Sequence, residues 1–68
     1  MELKNNIKRL RLEKKNTQTE LAKQLNTTLK TVSHWETGYT EPSVSQLIML
    51  ADFFNVSLDE LVGRDFDF

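Results

Sequence analysis

The sequence predicts an all-α fold of five short helices. Apolar residues recur three or four positions apart along most of the chain, which is the spacing that places them on one face of a helix. No segment alternates apolar and polar residues over the length of a strand. Because none of these helices is long enough to be stable alone, all of them must depend on packing around a shared core.

The first three helices are placed by their apolar spacing and by their end residues. Their predicted spans and apolar positions are 3–14 (Leu3, Ile7, Leu10), 18–25 (Leu21, Ala22, Leu25) and 29–37 (Leu29, Val32, Trp35). Thr17 and Glu20 have the spacing of a capping box that begins the second helix, and Thr28 is placed to cap the third. Gly38 follows the third helix, where a left-handed residue is often required.

The last two helices carry the same kinds of signal. Their apolar positions are Val44, Leu47, Ile48, Ala51 and Phe54 in the fourth helix, and Leu58, Leu61 and Val62 in the fifth. Two further capping boxes, Ser43 with Gln46 and Ser57 with Glu60, predict where each begins. Pro42 fits the loop before the fourth helix because proline cannot continue the preceding one.

Length and composition limit the classes of function. The 68 residues suit one small domain over residues 1–63, followed by a short tail over 64–68. The chain has no cysteine and one histidine, so neither a disulfide nor a metal site is expected, and no motif predicts a cofactor. No apolar run approaches the roughly 20 residues of a membrane span, and the N-terminus lacks a signal-peptide pattern, so a soluble cytoplasmic protein is expected.

The small net charge of −1 conceals two halves of opposite sign. Residues 1–35 contain eight basic and three acidic residues, a net charge of +5, whereas residues 36–68 contain one basic and seven acidic residues, a net charge of −6. Such asymmetry favours a polyanionic partner for the basic half. The simpler interpretation is that the charges only solvate the surface.

The second and third helices form a pattern of their own. Only Asn26, Thr27 and Thr28 separate them, which forces a sharp turn. Ala22 supplies a small residue where the two helices cross, and Asn26 tolerates the positive φ that the turn needs. Val32 then packs beneath the crossing. This order of residues is the helix-turn-helix pattern.

The stretch TQTELAKQLNTTLKTVSHWETG, residues 17–38, resembles the helix-turn-helix of the Cro and phage-repressor family, also called the xenobiotic-response-element family. The flanking stretches IKRLRLEKKNTQTELA, HWETGYTEPSVSQLIMLADFF and NVSLDELVG resemble that family in the same order, as far as Gly63. The resemblance implies a five-helix, lambda-repressor-like domain that binds double-stranded DNA, usually as a two-fold dimer, with the third helix in the major groove.

The residues of the third helix divide between the core and the outside. At 100° per residue Val32 and Trp35 point inward, and this phase favours core packing of Trp35 over stacking on bases. The candidate base-reading residues are Leu29, Lys30, Ser33 and His34. Lys30 suits guanine, whereas Ser33 and His34 both donate and accept, so their preferred bases stay open. Leu29 either contacts a thymine methyl group or packs at the edge of the core, and the second alternative is favoured.

Candidate phosphate contacts lie around this helix. The resemblance implies one at Gln18, which begins the second helix, and Thr28 is placed for another unless capping occupies its hydroxyl. Thr37, Tyr39 and Thr40 match the family's backbone-contacting loop. Relatives often carry Lys or Arg in that loop, whereas this chain has TGYTE, whose Glu41 repels phosphate.

The resemblance also implies that Arg11 pairs with Glu36 and ties the first helix to the end of the third. A structural role is favoured for this pair over a direct phosphate contact. Five lysines are each interpreted as ordinary solvated side chains rather than contacts: Lys4, Lys8, Lys14, Lys15 and Lys23.

Four apolar residues of the acidic half are surplus to the inward stripes: Met49, Phe53, Phe66 and Phe68. The favoured interpretation is a homodimer interface, since repressors of this size gain affinity by pairing half-sites about one helical turn apart. The alternative is that the tail folds back on its own domain or is disordered.

The sequence therefore predicts a sequence-specific DNA-binding regulator, and most simply a repressor that binds a palindromic operator as a homodimer. One rival is an antitoxin or another interaction module in which the same fold holds a protein partner. An enzyme is disfavoured because the chain has no cysteine, no second histidine and no nucleophile constellation near His34.

Overall fold

Five α-helices follow one another in the computed structural model, which describes residues 2–64. They are α1 (Leu3–Glu13), α2 (Gln18–Gln24), α3 (Leu29–Thr37), α4 (Val44–Phe54) and α5 (Leu58–Val62). The described residues include no strand, and the predicted all-α class is confirmed. The first two helices each end one residue earlier than predicted, because Lys14 and Leu25 are their C-caps.

The predicted helix starts follow the hydrogen bonds of two complete capping boxes. The Thr17 hydroxyl accepts from the Glu20 N–H at 3.1 Å, and the Thr17 N–H donates to the Glu20 carboxylate at 2.8 Å. Ser43 and Gln46 exchange the same two bonds at 3.2 and 2.8 Å. The Thr17 N–H, then its hydroxyl, and to a smaller extent Lys23, hold the pKa of the Glu20 carboxyl below its ordinary value.

The third predicted capping box is only half formed. The Ser57 hydroxyl accepts from the Glu60 N–H at 3.0 Å, as a cap requires. The Glu60 carboxylate, however, lies 3.4 Å from that same hydroxyl and does not accept from the Ser57 N–H. The hydroxyl therefore competes with the backbone for the carboxylate, and the prediction of a reciprocal box is wrong here.

The core lies where α1, α3, α4 and α5 meet, with α2 packed on α3. Its buried apolar residues are Leu3, Ile7, Leu21, Ala22, Leu25, Val32, Trp35, Leu50, Ala51, Phe54 and Leu61. The end of α5 is held by α1, because the Asn6 amide donates to the carbonyls of Glu60 and Leu61 at 3.2 and 3.1 Å. All five helices thus share one apolar centre.

The predicted inward stripe of α4 is partly wrong. Val44 is 74% exposed and Ile48 46% exposed, whereas Leu50, left out of the stripe, is fully buried. Helix α4 is apolar almost all round, so a 3.6-residue period fits two adjacent faces equally well. Leu58 of α5 was also placed inward, but it is 44% exposed in the cap turn of that short helix.

Candidate nucleic-acid interface

The turn between α2 and α3 has a fixed geometry. Asn26 adopts φ +55°, as the turn pattern predicted, and the Thr27 N–H donates to the Ala22 carbonyl at 2.9 Å. The Thr28 hydroxyl accepts from the Thr31 N–H at 3.2 Å and so caps α3. Ala22 is 3% exposed, which permits the close approach of the two helices. Helix α3 therefore begins in an orientation set by backbone hydrogen bonds.

Helix α3 presents one apolar and one polar side. Val32 and Trp35 are buried at 0% and 2% exposure and anchor the helix in the core. On the opposite side Lys30 is exposed and His34 is half-buried. We call the set Leu29, Lys30, Ser33 and His34 the α3 outer face. Because Val32 and Trp35 fix the rotation of the helix about its axis, they also fix where this face points.

Leu29 lies at one margin of the α3 outer face. It is 50% exposed and is not among the side chains that pack on the core. This exposure favours the contact alternative over the core-edge packing that the sequence favoured. An exposed leucine beside Lys30 is a methyl-rich contact surface of the kind that a thymine methyl group fits.

His34 has a neighbour that the sequence pattern did not reveal. The ring of Tyr39 lies 4.7 Å from the imidazole, centroid to centroid, at an interplanar angle of 55°. The chain reverses after Gly38, and the Tyr39 N–H donates to the His34 carbonyl at 3.0 Å. The sequence signal for this contact was that His34 and Tyr39 stand five positions apart with Gly38, which ends the helix, between them. Tyr39 thus covers one side of His34 and limits its rotation, while its own side chain stays 77% exposed.

A buried polar network joins three helices beside the α3 outer face. Arg11 donates to Glu36 through Nε at 2.7 Å and through Nη2 at 3.1 Å. Gln18 donates its side-chain amide to Oε1 of Glu36 at 3.0 Å. The Arg11 and Glu36 side chains are only 9% and 4% exposed. The ion pair expected between Arg11 and Glu36 is therefore present, and its burial agrees with a structural role. We call these three residues the Arg11–Glu36–Gln18 network.

The candidate phosphate-contacting residues differ in how free their polar groups are. Gln18 is half-buried and gives one amide hydrogen to Glu36, which leaves the second for another acceptor. The Thr37 hydroxyl donates to the His34 carbonyl at 3.2 Å. The hydroxyl oxygens of Thr28 and Thr31 lie 2.9 Å apart, so these two hydroxyls share a hydrogen bond. Thr40 is exposed, and its N–H shares the His34 carbonyl at 3.3 Å.

The predicted dimer residues all belong to the acidic half of the sequence. Met49 is 40% exposed on α4, in agreement with a residue surplus to the core. Phe53 was placed with it, but it packs against the core, 5.3 Å from the ring of Phe54, because it fills the end of the α4 apolar face. Phe66 and Phe68 lie outside the described residues.

Two further observations concern the described part of the chain. No group of His, Asp or Glu within residues 2–64 is arranged to hold a metal ion. None of the five helices has the length and apolar character needed to cross a membrane.

Comparison with known proteins agrees with this geometry. The chain matches a helix-turn-helix family model, HTH_3, over residues 7–61. It is 37% identical over 65 residues to the transcriptional activator BcrR of Enterococcus faecalis, covering 96% of this chain and 32% of BcrR. It is 35% identical over 65 residues to the transcriptional regulator ImmR of Bacillus subtilis strain 168, covering 96% of this chain and 51% of ImmR.

A solved structure has the same fold. The crystal structure of a transcriptional regulator from Listeria innocua superimposes with a TM-score of 0.89 at 35% identity, covering 97% of this chain and 62% of that protein. The chain therefore spans from a third to about three fifths of the length of these relatives. The five helices, the turn at Asn26 and the family match together show that this chain belongs to the Cro-type helix-turn-helix family.

Proposed function

We propose that this chain binds double-stranded DNA sequence-specifically and regulates transcription, with α3 in the major groove. The observation that carries the proposal is the α3 outer face, which is polar and directed outward by Val32 and Trp35. A major groove is wide enough to admit one helix, and each base pair presents a distinct set of donors and acceptors there. The relatives are named as transcriptional regulators, and none of those compared is named as an enzyme.

Base recognition falls to the four residues of the α3 outer face. Lys30 is an exposed hydrogen-bond donor, so it suits the O6 and N7 acceptors of guanine. His34, held by Tyr39, and Ser33 add a donor or an acceptor each. Leu29 adds an apolar contact, for which thymine is the matching base because only its methyl group is apolar in the groove.

Phosphate contacts are assigned to residues around α3. They are Gln18 at the start of α2, Thr28 at the N-cap of α3, and Thr37, Tyr39 and Thr40 at its end and in the following loop. Gln18 is the strongest of these, because Glu36 already orients its amide and one hydrogen is still available. Thr37 must exchange its bond to the His34 carbonyl for a bond to phosphate, so it contributes less. The positive charge of residues 1–35 attracts the DNA backbone as a whole.

We also propose that the chain binds a palindromic site as a homodimer. Support comes from apolar side chains that α4 and α5 leave exposed, namely Val44 at 74%, Ile48 at 46%, Met49 at 40% and Leu58 at 44%. Isolated exposed apolar residues are ordinary, but these occur in the acidic half, which phosphates repel. A two-fold pair would place the two α3 helices in successive major grooves, about 34 Å apart.

The protein acts in the cytoplasm, where the DNA of a bacterial cell lies. Repression is the simplest mechanism, because occupying a promoter is enough to exclude polymerase. An activator needs an additional contact with polymerase, and BcrR is named as an activator, so a reporter assay decides the sign for this chain.

The test is selection of bound duplexes from a random library at defined salt concentrations, with sedimentation to count chains per duplex. We expect one enriched palindromic motif, two chains per duplex and an affinity that falls linearly with salt on logarithmic axes. Enrichment of no motif, with binding that is indifferent to salt, would overturn the proposal. A single chain per duplex would overturn the homodimer alone, and a stable complex with another protein through α4 would support the interaction module instead.

Variants assign the individual roles. Lys30→Ala and His34→Ala should each relax the preference at one position of the motif, by about 1–3 kcal/mol of discrimination for a good contact. Gln18→Ala should weaken every sequence equally, since phosphates carry no sequence information. Unfolding of the Lys30→Ala variant would show that the helix is rotated differently from the orientation proposed.

A further inference from the structure

The side chain of Lys4 lies against the end of α3. Gly38 ends α3 at φ +81°, and a Cβ atom built there would lie 3.0 Å from Cδ and 3.5 Å from Nζ of Lys4. The lysine stem therefore crosses the space that any other residue at position 38 would fill. This places an ammonium group of α1 within a few ångströms of the backbone where α3 ends.

The same lysine lines an open groove of about 420 Å³. The other polar residues of its wall are Tyr39, Thr40 and Glu41, which form the loop after α3, and its floor includes Trp35. The groove is thus bordered by two of the three loop residues proposed to contact phosphate, Tyr39 and Thr40. A phosphate that approached Tyr39 or Thr40 would also approach the Lys4 ammonium.

Charge in this region is otherwise unfavourable for DNA. The loop over residues 37–42 has no basic residue, and Glu41 adds a negative charge. The carbonyl end of α3 adds a partial negative charge of its own. Within residues 2–64 the ion pairs are Arg9 with Glu13 and Arg11 with Glu36, so Lys4 forms no ion pair there, although Glu41 borders the same groove.

We infer that Lys4 provides the cationic phosphate contact that the loop after α3 lacks. This rests on the proposed function, which supplies the DNA, and it corrects the interpretation of Lys4 as an ordinary solvated lysine. The contact is independent of sequence, because it involves only the backbone. Helix α1 would then share in DNA binding through Lys4. Its side chain can lie beside the end of α3 because Gly38 has no Cβ atom.

The test compares Lys4→Gln, Lys4→Arg and a matched control, Lys14→Gln. Lys14 is the C-cap residue at the opposite end of α1 from Lys4, and its ammonium lies 4.7 Å from the centre of the Phe53 ring. Both glutamine variants lose one charge, so their difference isolates the position of the charge from the net charge. Sedimentation of each variant shows whether its oligomeric state is unchanged.

The measured quantity is the affinity for the selected duplex and for an unrelated duplex over a range of salt concentrations. Lys4→Gln should lower the salt slope by about 0.9 and weaken binding roughly fivefold to tenfold at 0.1 M salt, equally for both duplexes. Lys4→Arg should restore both values, and Lys14→Gln should leave the slope near that of the unchanged protein. The thermal midpoint of Lys4→Gln should stay close to that of the unchanged protein.

A second measurement locates the contact. Phosphates of the selected duplex are replaced one at a time by neutral methylphosphonates. At one position this replacement should weaken DNA binding by the unchanged protein but not by Lys4→Gln. A slope equal to that of Lys14→Gln would overturn the inference, and so would a lowered thermal midpoint with an unchanged slope, which would make Lys4 a stabiliser of the helix end alone. Failure of the unchanged protein to bind any duplex would instead overturn the proposed function itself.

Discussion

Replacing Arg11 with methionine should remove a large part of the folding free energy of this chain. The substitution deletes the two bonds to Glu36, at 2.7 and 3.1 Å, and a third from Nη1 to the Asn16 carbonyl at 2.8 Å. Methionine retains most of the volume of the stem, so little of the effect comes from a cavity. The dominant consequence is a Glu36 carboxylate that stays buried with only Gln18 to pair with it.

The magnitude follows from that burial. Leaving one member of a buried ion pair alone costs about 3–5 kcal/mol. A chain of 68 residues has a total unfolding free energy of about 3–10 kcal/mol at the usual 0.05–0.15 kcal/mol per residue. Arg11→Met should therefore be unfolded or nearly so at the lower end of that range, and strongly destabilised at the upper end.

The assay is urea unfolding followed by the fluorescence of Trp35, the one tryptophan of the chain, which is 2% exposed. The matched control is Arg9→Met on the same helix. Arg9 pairs with Glu13 at 2.8 Å, but the two side chains are 55% and 59% exposed, so water screens them. Its removal should cost less than about 1 kcal/mol.

A double variant separates the pair from its individual members. Arg11→Met combined with Glu36→Met removes both charges, so it should be less destabilised than the sum of the two single variants by at least about 1 kcal/mol. Gln18 loses its partner there but is half-buried, so water can replace the bond. An Arg11→Met variant as stable as Arg9→Met, or costs that simply add, would refute the reasoning.

Three further predictions use single positions. Asn26→Gly should change the unfolding free energy little, whereas Asn26→Val should lower it by about 1–2 kcal/mol, since φ is +55° there; urea unfolding measures both. Because its folded-state pKa lies below the ordinary value, Glu20 should stabilise the fold fully above about pH 4.3 and lose that effect as the pH falls through the folded pKa. Glu20→Gln should flatten that part of a stability-against-pH curve. Leu29→Ala should fold normally, and replacing thymine by uracil in the selected duplex should weaken the unchanged protein but not this variant.

The features that the sequence predicted correctly depend on neighbouring residues. A cap such as Thr17 or Ser43 is decided by groups three positions apart, and the conformations at Asn26 and Gly38 are decided by the residue itself. The buried face of α4 was different, because eight of the eleven residues of that helix are apolar. Only packing against the other helices selects Leu50 and leaves Val44 outside.

The candidate interface divides in the same way. The phase of Val32 and Trp35 was enough to predict which side of α3 points outward. The contacts of Lys4 with the end of α3 and of Gln18 with Glu36 were not predictable, because each joins helices whose relative position is set by the whole core. Sequence spacing therefore predicts the exposed residues of the candidate interface and misses the partners that orient them.

Glu36 links the stability of the fold to its proposed use in binding DNA. Its Oε1 atom accepts from both Arg11 and Gln18, so one buried carboxylate fixes α1 and α2 relative to the end of α3. A free glutamine would have to be ordered on binding phosphate, at a cost of about 0.5–1.5 kcal/mol for a flexible side chain. Because the bond to Glu36 already holds the Gln18 amide, most of that cost is met when the chain folds. The distance from this proposed phosphate-contacting group to the α3 outer face is thereby set before any DNA binds.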